Sequence, residues 1–236
     1  MKSIFLLRKK GWMDMKKVFT FLCAALLALT AAACGSAETA VQDNRTAADT
    51  PAAQTQAEPA QGKRVLVAYF SRADENTGVG YIEKGNTRIL AEMAADITKG
   101  DLFEIKTVKS YPKEYRPATE VAKQEKENNA RPEINGPLPD VSKYDVIFLG
   151  YPIWWGDLPM GVYTFLEREN LAGKTIIPFC THEGSGLGNT ERFIAESTKA
   201  KVLPGLEMRG RKAQNSQTEA KAEMEEWIKK SLADIK

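Results

Sequence analysis

The sequence predicts an α/β fold with an open, doubly wound, five-stranded parallel sheet and helices on both faces. Three observations predict it. Five short runs with strand character alternate with segments of helical periodicity. The first and third runs, "RVLVAYF" and "DVIFLG", are almost wholly apolar, which is typical of strands buried on both faces. Polar or glycine-rich loops follow the first, third and fourth runs, at the strand ends where ligands of such sheets bind.

The predicted elements lie between residues 63 and 236, which we expect to form one domain. The predicted strands cover residues 64–70, 101–107, 145–150, 174–181 and 201–208. The predicted helices cover residues 86–99, 118–128, 158–169, 188–197 and 216–236. The second strand alternates in polarity and is expected near an edge. Residues 108–143 are otherwise irregular, and the charged helix within them is interpreted as a solvated face, with a surface for docking a partner as the alternative.

Two residues of the fourth strand differ in chemistry from their aliphatic neighbours. Pro178 cannot donate to the sheet and costs one hydrogen bond there. Cys180 is the only cysteine of the predicted domain, so no disulfide can form within it. A single cysteine on an apolar strand is usually a small buried hydrophobic residue, and we prefer that interpretation to a catalytic thiol.

The first 62 residues carry targeting features. Residues 1–34 are predicted to be a signal peptide whose true start is Met15: "MKKVFTFLCAALLALTAAAC" has a cationic start, an apolar run and small residues. Cys34 is the expected lipidation site of a bacterial lipoprotein. Ordinary cleavage near Ala37 and an uncleaved anchor are the alternatives. Residues 35–62 lack aromatic residues and are predicted to be a disordered tether. We therefore expect an exported, lipid-anchored protein, or a secreted or periplasmic one after ordinary cleavage.

The charge balance argues against some classes of partner. The chain has a formal net charge of +2, but residues 1–34 hold six Lys/Arg and one Asp. The remainder has 27 basic and 30 acidic residues. No basic field favours nucleic acid. With one histidine and no cysteine pair in the domain, a metal site of softer ligands is not expected.

Each of the three loops has a ligand-binding interpretation and a structural one. "GNT" at 85–87 opens a helix, where free N–H groups bind a phosphate or serve an ordinary cap. In "YPIWWGD" at 151–157 a tryptophan ring covers a flat ligand, or the pair forms an apolar plug or an interface. "THEGSGLGN" at 181–189 is rich in donors that suit the polar edge of a planar ring.

Together the motifs "VLVAYFSR" with "GNTR", "YDVIFLGYPIWWGDLP" and "CTHEGSGLG" resemble the flavodoxin family, from about residue 63 to the end. The resemblance implies FMN as the cofactor and the strand order 2-1-3-4-5. It also implies three groups of cofactor-binding residues. In the first group Ser71, Asn86, Thr87 and Arg88 would hold the phosphate, and Arg72 and Gly85 are further cofactor-binding residues of the same loop. The two flavin-flanking groups comprise Pro152, Ile153, Trp154, Trp155 and Gly156, and Thr181, His182, Glu183, Gly184, Ser185 and Gly186. Trp154 is the tryptophan expected to face the flavin.

One feature departs from the family pattern. The compact phosphate loop of the family keeps its Ser and Gly two residues apart, whereas residues 72–84 separate Ser71 from Gly85 here. The insertion contains "NTGVG" at 76–80, which is either a rival phosphate loop or a segment folded over the cofactor. The assignment of individual phosphate donors therefore stays open, whereas the helix N-terminus remains the expected phosphate-binding position.

Three polar residues of the flavin loops have two interpretations each. His182 is either a proton donor to a reduced flavin or quinone, or a hydrogen-bonding loop residue, which we prefer. Asp157 and Glu183 either lower the flavin potential by their negative charge or are solvated loop acids.

The expected function is electron transfer by an FMN-binding protein, as the resemblance implies, held at a membrane surface by the predicted lipid anchor, with a redox protein or a small quinone-like acceptor as partner. An FMN-dependent NAD(P)H or quinone oxidoreductase is the first alternative. A binding module that kept the fold and lost the flavin is the second. The donor, the acceptor and the oligomeric state do not follow from the sequence.

Overall fold

The structure is a computed structural model, and it describes residues 62–235. Within that range the strands are β1 (Val65–Tyr69), β2 (Asp74–Asn76), β3 (Gly80–Ile82), β4 (Asp101–Glu104), β5 (Val146–Pro152), β6 (Thr175–His182), β7 (Lys201–Val202) and β8 (Leu206–Arg209). The α-helices are α1 (Asn86–Thr98), α2 (Tyr115–Glu127), α3 (Met160–Arg168), α4 (Thr190–Thr198), α5 (Gly210–Asn215) and α6 (Gln217–Ala233). A 3₁₀ turn, Val141–Lys143, precedes β5.

The central sheet is parallel throughout, in the order β4-β1-β5-β6, and both β7 and β8 pair with β6. Counting β7 and β8 as one interrupted strand gives the expected order 2-1-3-4-5, with the second strand at an edge. The fold class is confirmed. The order reverses between β1 and β5, so the loops after these strands diverge and leave a crevice between them.

The interruption of the last strand lies opposite Pro178. Ile176 pairs with Val202 and Phe179 pairs with Leu206, so two residues of β6 face three residues of the neighbouring strand. Pro178 has no N–H to donate. Pro204 lies in the same gap and has none either. The predicted strand over 201–208 is therefore two short strands, because the hydrogen-bonded ladder cannot continue past these prolines.

Two apolar clusters cover the two faces of the sheet, and β1 contributes to both in alternation. Val65, Val67 and Tyr69 pack with residues of α1 and α6, whereas Leu66 and Ala68 pack with residues of α3 and α4. The alternation follows from the period of two along a strand, whose successive side chains point to opposite faces. This packing holds the sheet rigidly under the loops at its carboxyl edge.

The hairpin and one short helix were not predicted from the sequence. The insertion at 72–84 contains the antiparallel hairpin β2–β3, and the short helix α5 joins β8 to α6. Within residues 62–235 no helix is both long and apolar enough to cross a membrane. The predicted signal peptide, the lipidation of Cys34 and almost all of the tether lie outside the described residues.

Candidate functional site

A pocket of about 400 Å³ lies at the carboxyl ends of β1, β5 and β6, in the crevice where the strand order reverses. Its lining draws on all three predicted loops, on the hairpin insertion and on α2. The predicted site residues that line it are Ser71, Arg72, Asn86, Thr87, Pro152, Ile153, Trp154, Trp155, Thr181, His182 and Glu183. The lining residues that sequence reasoning missed are Asn76, Thr77, Tyr115, Ala118, Thr119 and Ala122.

Six predicted site residues do not line the pocket: Gly85, Arg88, Gly156, Gly184, Ser185 and Gly186. Arg88 turns its guanidinium away and pairs with Glu92, 2.8 Å from Nε to Oε1. The guanidinium of Arg88 therefore lies outside the pocket lining, and its assignment as a phosphate ligand stays a prediction. Its backbone N–H has a role, because it donates to Ser71 Oγ at 3.0 Å.

Ser71 and Gly85 lie against each other although thirteen residues separate them. A Cβ added to Gly85 would lie 2.3 Å from Ser71 Oγ and 2.5 Å from the carbonyl oxygen of Arg72. Only glycine fits there, because both distances are far inside van der Waals contact. The insertion thus leaves Ser71 and Gly85 side by side at the start of α1, where the Arg88 N–H donates to Ser71 Oγ.

Asn86 and Thr87 open α1 and face the pocket. Thr87 Oγ1 and Thr181 Oγ1 are 2.7 Å apart, which joins the first loop to the end of β6. Asn86 Oδ1 is buried and has no hydrogen-bond partner among the described residues. A buried acceptor without a donor is costly, so this atom suits a ligand that brings a hydroxyl or an N–H to it. The partial positive charge at the start of α1 suits an anionic group nearby.

The two tryptophans lie in a tight turn after β5. Trp154 and Asp157 exchange two backbone hydrogen bonds of 2.9 and 3.1 Å, and Trp155 and Gly156 between them have φ values of 53° and 71°. Positive φ at both central positions is the pattern of a type I′ turn. Gly156 is at a turn position that favours glycine, and it does not line the pocket.

The rings of the tryptophans have different supports. Trp154 packs edge-to-face against Phe70 and Tyr111, with ring centroids 5.2 and 4.9 Å apart. Trp155 is 52% exposed, and its Nε1 donates to the carbonyl oxygen of Thr119 at 2.8 Å. Both line the pocket, so the assignment of Trp154 as the flavin-facing ring stays a prediction.

Helix α2 forms one wall of the pocket, so its interpretation as a solvated face was incomplete. Ala118 and Ala122, four residues apart, are buried and line the cavity. Lys126 fastens the helix to the tryptophan turn: its Nζ donates to the carbonyl oxygen of Trp155 at 2.8 Å and lies 3.3 Å from Asp157 Oδ2. The repeat of small residues at i and i+4 was the sequence signal for this buried stripe.

His182 holds its own loop. Its Nδ1 accepts the N–H of Gly184 at 2.9 Å and of Gly186 at 3.2 Å. The proton of the neutral ring is therefore on Nε2, which lies 2.5 Å from Glu207 Oε2 but out of line for a hydrogen bond. This geometry corresponds to the preferred interpretation, a hydrogen-bonding loop residue. It also explains why the two glycines do not reach the pocket, since their N–H groups point to the imidazole.

The two acidic residues of the loops are neither solvated nor unpaired. Asp157 Oδ1 accepts from the Leu158 N–H and the Tyr163 hydroxyl, both at 2.8 Å, while Oδ2 faces Lys126. Glu183 accepts from the backbone N–H of Arg211 at 2.9 Å and from its Nε at 2.8 Å. Only Glu183 lines the pocket. Because a cation neutralises each carboxylate, their influence on a bound group is weaker than that of free charges.

Arg72 lines the pocket, but its guanidinium is hydrogen-bonded to backbone carbonyl oxygens. It donates to the carbonyl oxygens of Glu75, Pro112 and Lys113 at 2.6–3.3 Å. The donors of its guanidinium hold the hairpin and the segment before α2, and the assignment of Arg72 as a cofactor-binding residue stays a prediction.

The remaining candidates for chemistry are inert. Cys180 is fully buried, and burial raises the pKa of its thiol to about 12, so it is protonated at neutral pH. No group of three or more His, Cys, Asp or Glu side chains within residues 62–235 could hold a metal ion.

The comparisons with known proteins agree with this geometry. A family model described as Flavodoxin matches residues 64–231. A putative flavoprotein from Bacteroides uniformis ATCC 8492 is 28% identical, with a TM-score of 0.56 over 71% of this chain and 98% of that one. A second, from Bacteroides eggerthii DSM 20697, is 27% identical, with a TM-score of 0.51 over 67% and 98%.

A flavoprotein from Lactobacillus acidophilus NCFM, solved in complex with FMN, shares the fold at 21% identity. Its TM-score is 0.51, over 66% of this chain and 99% of that one. No curated protein matches the chain.

Proposed function

Because this chain belongs to the flavodoxin family, we propose that its domain binds FMN and carries electrons between redox partners. The observation that carries the proposal is the pocket at the reversal of strand order, where the start of α1 and the two flavin loops meet. The flavoprotein of the same fold that is solved in complex with FMN supports the choice of cofactor. FMN, when bound, supplies the redox chemistry.

The residues present fit such a group. The start of α1 and the Ser71 hydroxyl suit a phosphate, because N–H groups and the helix dipole favour an anion there. The orphaned Oδ1 of Asn86 accepts from a hydroxyl of a polyol chain. The apolar stretch Pro152–Trp155 suits one side of a planar ring. Ala118 and Ala122 exclude water on the α2 side without filling the space.

The protein would also shift the redox potential of a bound flavin less than the sequence suggested. Lys126 and Arg211 neutralise Asp157 and Glu183, so these acids add little negative charge beside a flavin. His182 keeps its loop in place through Nδ1 and has no free lone pair at that atom. In this proposal the chain binds and orients the cofactor, and His182 serves to hold its loop.

The proposal includes a place of action. Lipidation at Cys34 and the tether of residues 35–62 would hold the domain at a bacterial membrane. From residue 63 onward the sequence has 26 basic and 26 acidic residues, so long-range electrostatic steering is weak. Tethering raises the effective concentration near a membrane-bound redox partner and offsets that weakness.

The experiment is retention of FMN by the purified domain of residues 62–236 after desalting. We expect about one flavin per chain. Asn86→Ala should raise the FMN dissociation constant about fivefold or more, because a buried contact is lost. Arg88→Ala, its neighbour-but-one, is the matched control and should bind as tightly as the wild type. A folded domain that leaves the column colourless would overturn the proposal in favour of a binding module without flavin.

A quinone or NAD(P)H oxidoreductase is the second candidate. Exposed aromatic rings at the mouth of the pocket favour it. Trp155 and Tyr115 line the pocket and are 52% and 38% exposed, which offers flat apolar surface to a planar acceptor. Oxidation of NADH or NADPH by the FMN-loaded domain, with and without a soluble quinone, separates the two. Sustained turnover favours the enzyme, and reduction without turnover favours the carrier.

A further inference from the structure

The hairpin insertion begins and ends at neighbouring points of the predicted phosphate loop. It leaves after Ser71 and returns at Gly85, and these two residues are in contact. The chain therefore goes out and comes back beside α1 without displacing the loop. The added segment contributes Asn76 and Thr77 to the pocket lining.

The hairpin is held at its base by the segment that leads into α2. A two-stranded hairpin alone is marginally stable in water. Here the Arg72 guanidinium donates to the carbonyl oxygens of Glu75 and Lys113, each at 2.6 Å. The Glu75 N–H donates to the Lys113 carbonyl at 3.1 Å, and Glu75 Oε2 accepts from the Tyr115 N–H at 2.7 Å. These bonds tie the hairpin to the α2 wall of the pocket.

The tip of the hairpin reaches the opposite wall. Asn76 Nδ2 donates to the carbonyl oxygens of Arg72, Ala73 and Asp74 at 3.1–3.3 Å, which sets the shape of the approach to the tip. Gly78, with φ of 78°, lies so close to Glu183 that a Cβ there would be 2.7–2.9 Å from its carboxylate. Arg211 in turn holds that carboxylate. Thr77 thus lies between two anchored points.

We infer that the hairpin tip is a further cofactor-binding loop, in which the Thr77 hydroxyl donates to the phosphate-bearing end of the flavin nucleotide. The inference rests on the proposed function. The tip contacts Glu183 through Gly78, and a Cβ added to Gly210 would lie within 3.0 Å of both Glu183 and Asn86, so the tip lies near the start of α1. A hydroxyl has one O–H to donate, and a hydrogen bond to an anion is about twice as strong as one between neutral groups.

The test compares FMN with riboflavin, which lacks the phosphate. Dissociation constants for both are measured by fluorescence titration of the full chain and of three variants. Thr77→Val removes the hydroxyl at nearly constant shape, and Thr77→Ser keeps a hydroxyl. Thr218→Val makes the same change at an exposed position of α6 and serves as the control. Urea unfolding of each variant checks that the fold is unchanged.

We expect Thr77→Val to raise the FMN dissociation constant about tenfold, while the value for riboflavin changes by less than about twofold. Thr77→Ser and Thr218→Val should resemble the wild type. An unchanged FMN affinity of Thr77→Val, or an equal loss for both flavins, overturns the inference alone. A wild-type chain that binds neither flavin overturns the proposed function, and the inference with it.

Discussion

Trp154 and Trp155 are neighbours in the chain, but their rings have different surroundings. The Trp154 ring is packed between Phe70 and Tyr111. Trp155 has a positive φ, which costs a bulky residue about 1–3 kcal/mol. Contacts with α2 hold it there, through the Thr119 carbonyl and through Lys126. The Trp154 ring therefore packs against the apolar core at the pocket wall, and the Trp155 ring belongs to the rim of the pocket.

This difference predicts unequal costs for two otherwise identical substitutions. Trp154→Ala leaves a cavity beside two aromatic rings and should lower the free energy of unfolding by about 3 kcal/mol. Trp155→Ala removes a half-exposed ring from a strained position and should cost about 1 kcal/mol or less. Urea unfolding of the two flavin-free variants gives the comparison. Equal losses would show that the rings share one environment.

Helix α2 has two unlike sides. Its inner stripe is made of alanines small enough to leave a pocket, and its outer side carries the charges that dominate the sequence. Within the outer side, Lys126 has two partners in the tryptophan turn. Lys123, one turn earlier, lies 5.8 Å above the Trp155 ring and 3.8 Å from Glu127. The helix is therefore joined to the turn mainly through Lys126.

Substituting these two lysines tests the joint between helix and turn. Lys126→Met should lower the free energy of unfolding by about 1–2 kcal/mol, because it leaves the largely buried carboxylate of Asp157 without its cation. Lys123→Met should change it by less than about 0.5 kcal/mol, since exposed pairs contribute little. Equilibrium unfolding in urea measures both. A larger cost at Lys123 would contradict the assignment of Lys126 as the joint.

At the scale of the whole molecule, several buried groups resist ionisation. Burial is the first cause that raises the pKa of Tyr69, Tyr144 and Cys180, each to about 12. It also raises the pKa values of Tyr111, Tyr151 and Tyr163. In the unfolded chain these groups ionise near 10.0 for tyrosine and 9.0 for cysteine.

The free energy of unfolding should therefore fall as the pH rises from about 9 towards 12. Above about pH 9 the unfolded chain releases protons that the folded chain keeps, so alkali favours unfolding. Urea titrations between pH 7 and 12 of the domain measure the fall, and Cys180→Ala should delay its onset by about one pH unit, because tyrosines ionise later. A flat profile up to pH 11 would contradict the raised pKa values.

Patterns local in sequence predicted the sheet. The apolar composition of runs such as "RVLVAYF" and "DVIFLG" indicates strands buried on both faces. Their alternation with helices favours a parallel sheet. Since the carboxyl ends of parallel strands share one edge, Ser71, Trp154 and Thr181 were expected together, and they line one pocket. The position of the site and its three loops therefore followed from order along the chain.

Contacts between distant segments decided the rest. The sequence by itself determined the fold class, the strand order by family resemblance, and which loops meet. Only the tertiary structure decided that the insertion returns to Gly85, that α2 walls the pocket, and that Arg88, Asp157 and Glu183 are paired with other side chains. The reason is physical: periodicity and propensity act over a few residues, whereas the partner of a charge or a turn depends on which remote segment packs beside it.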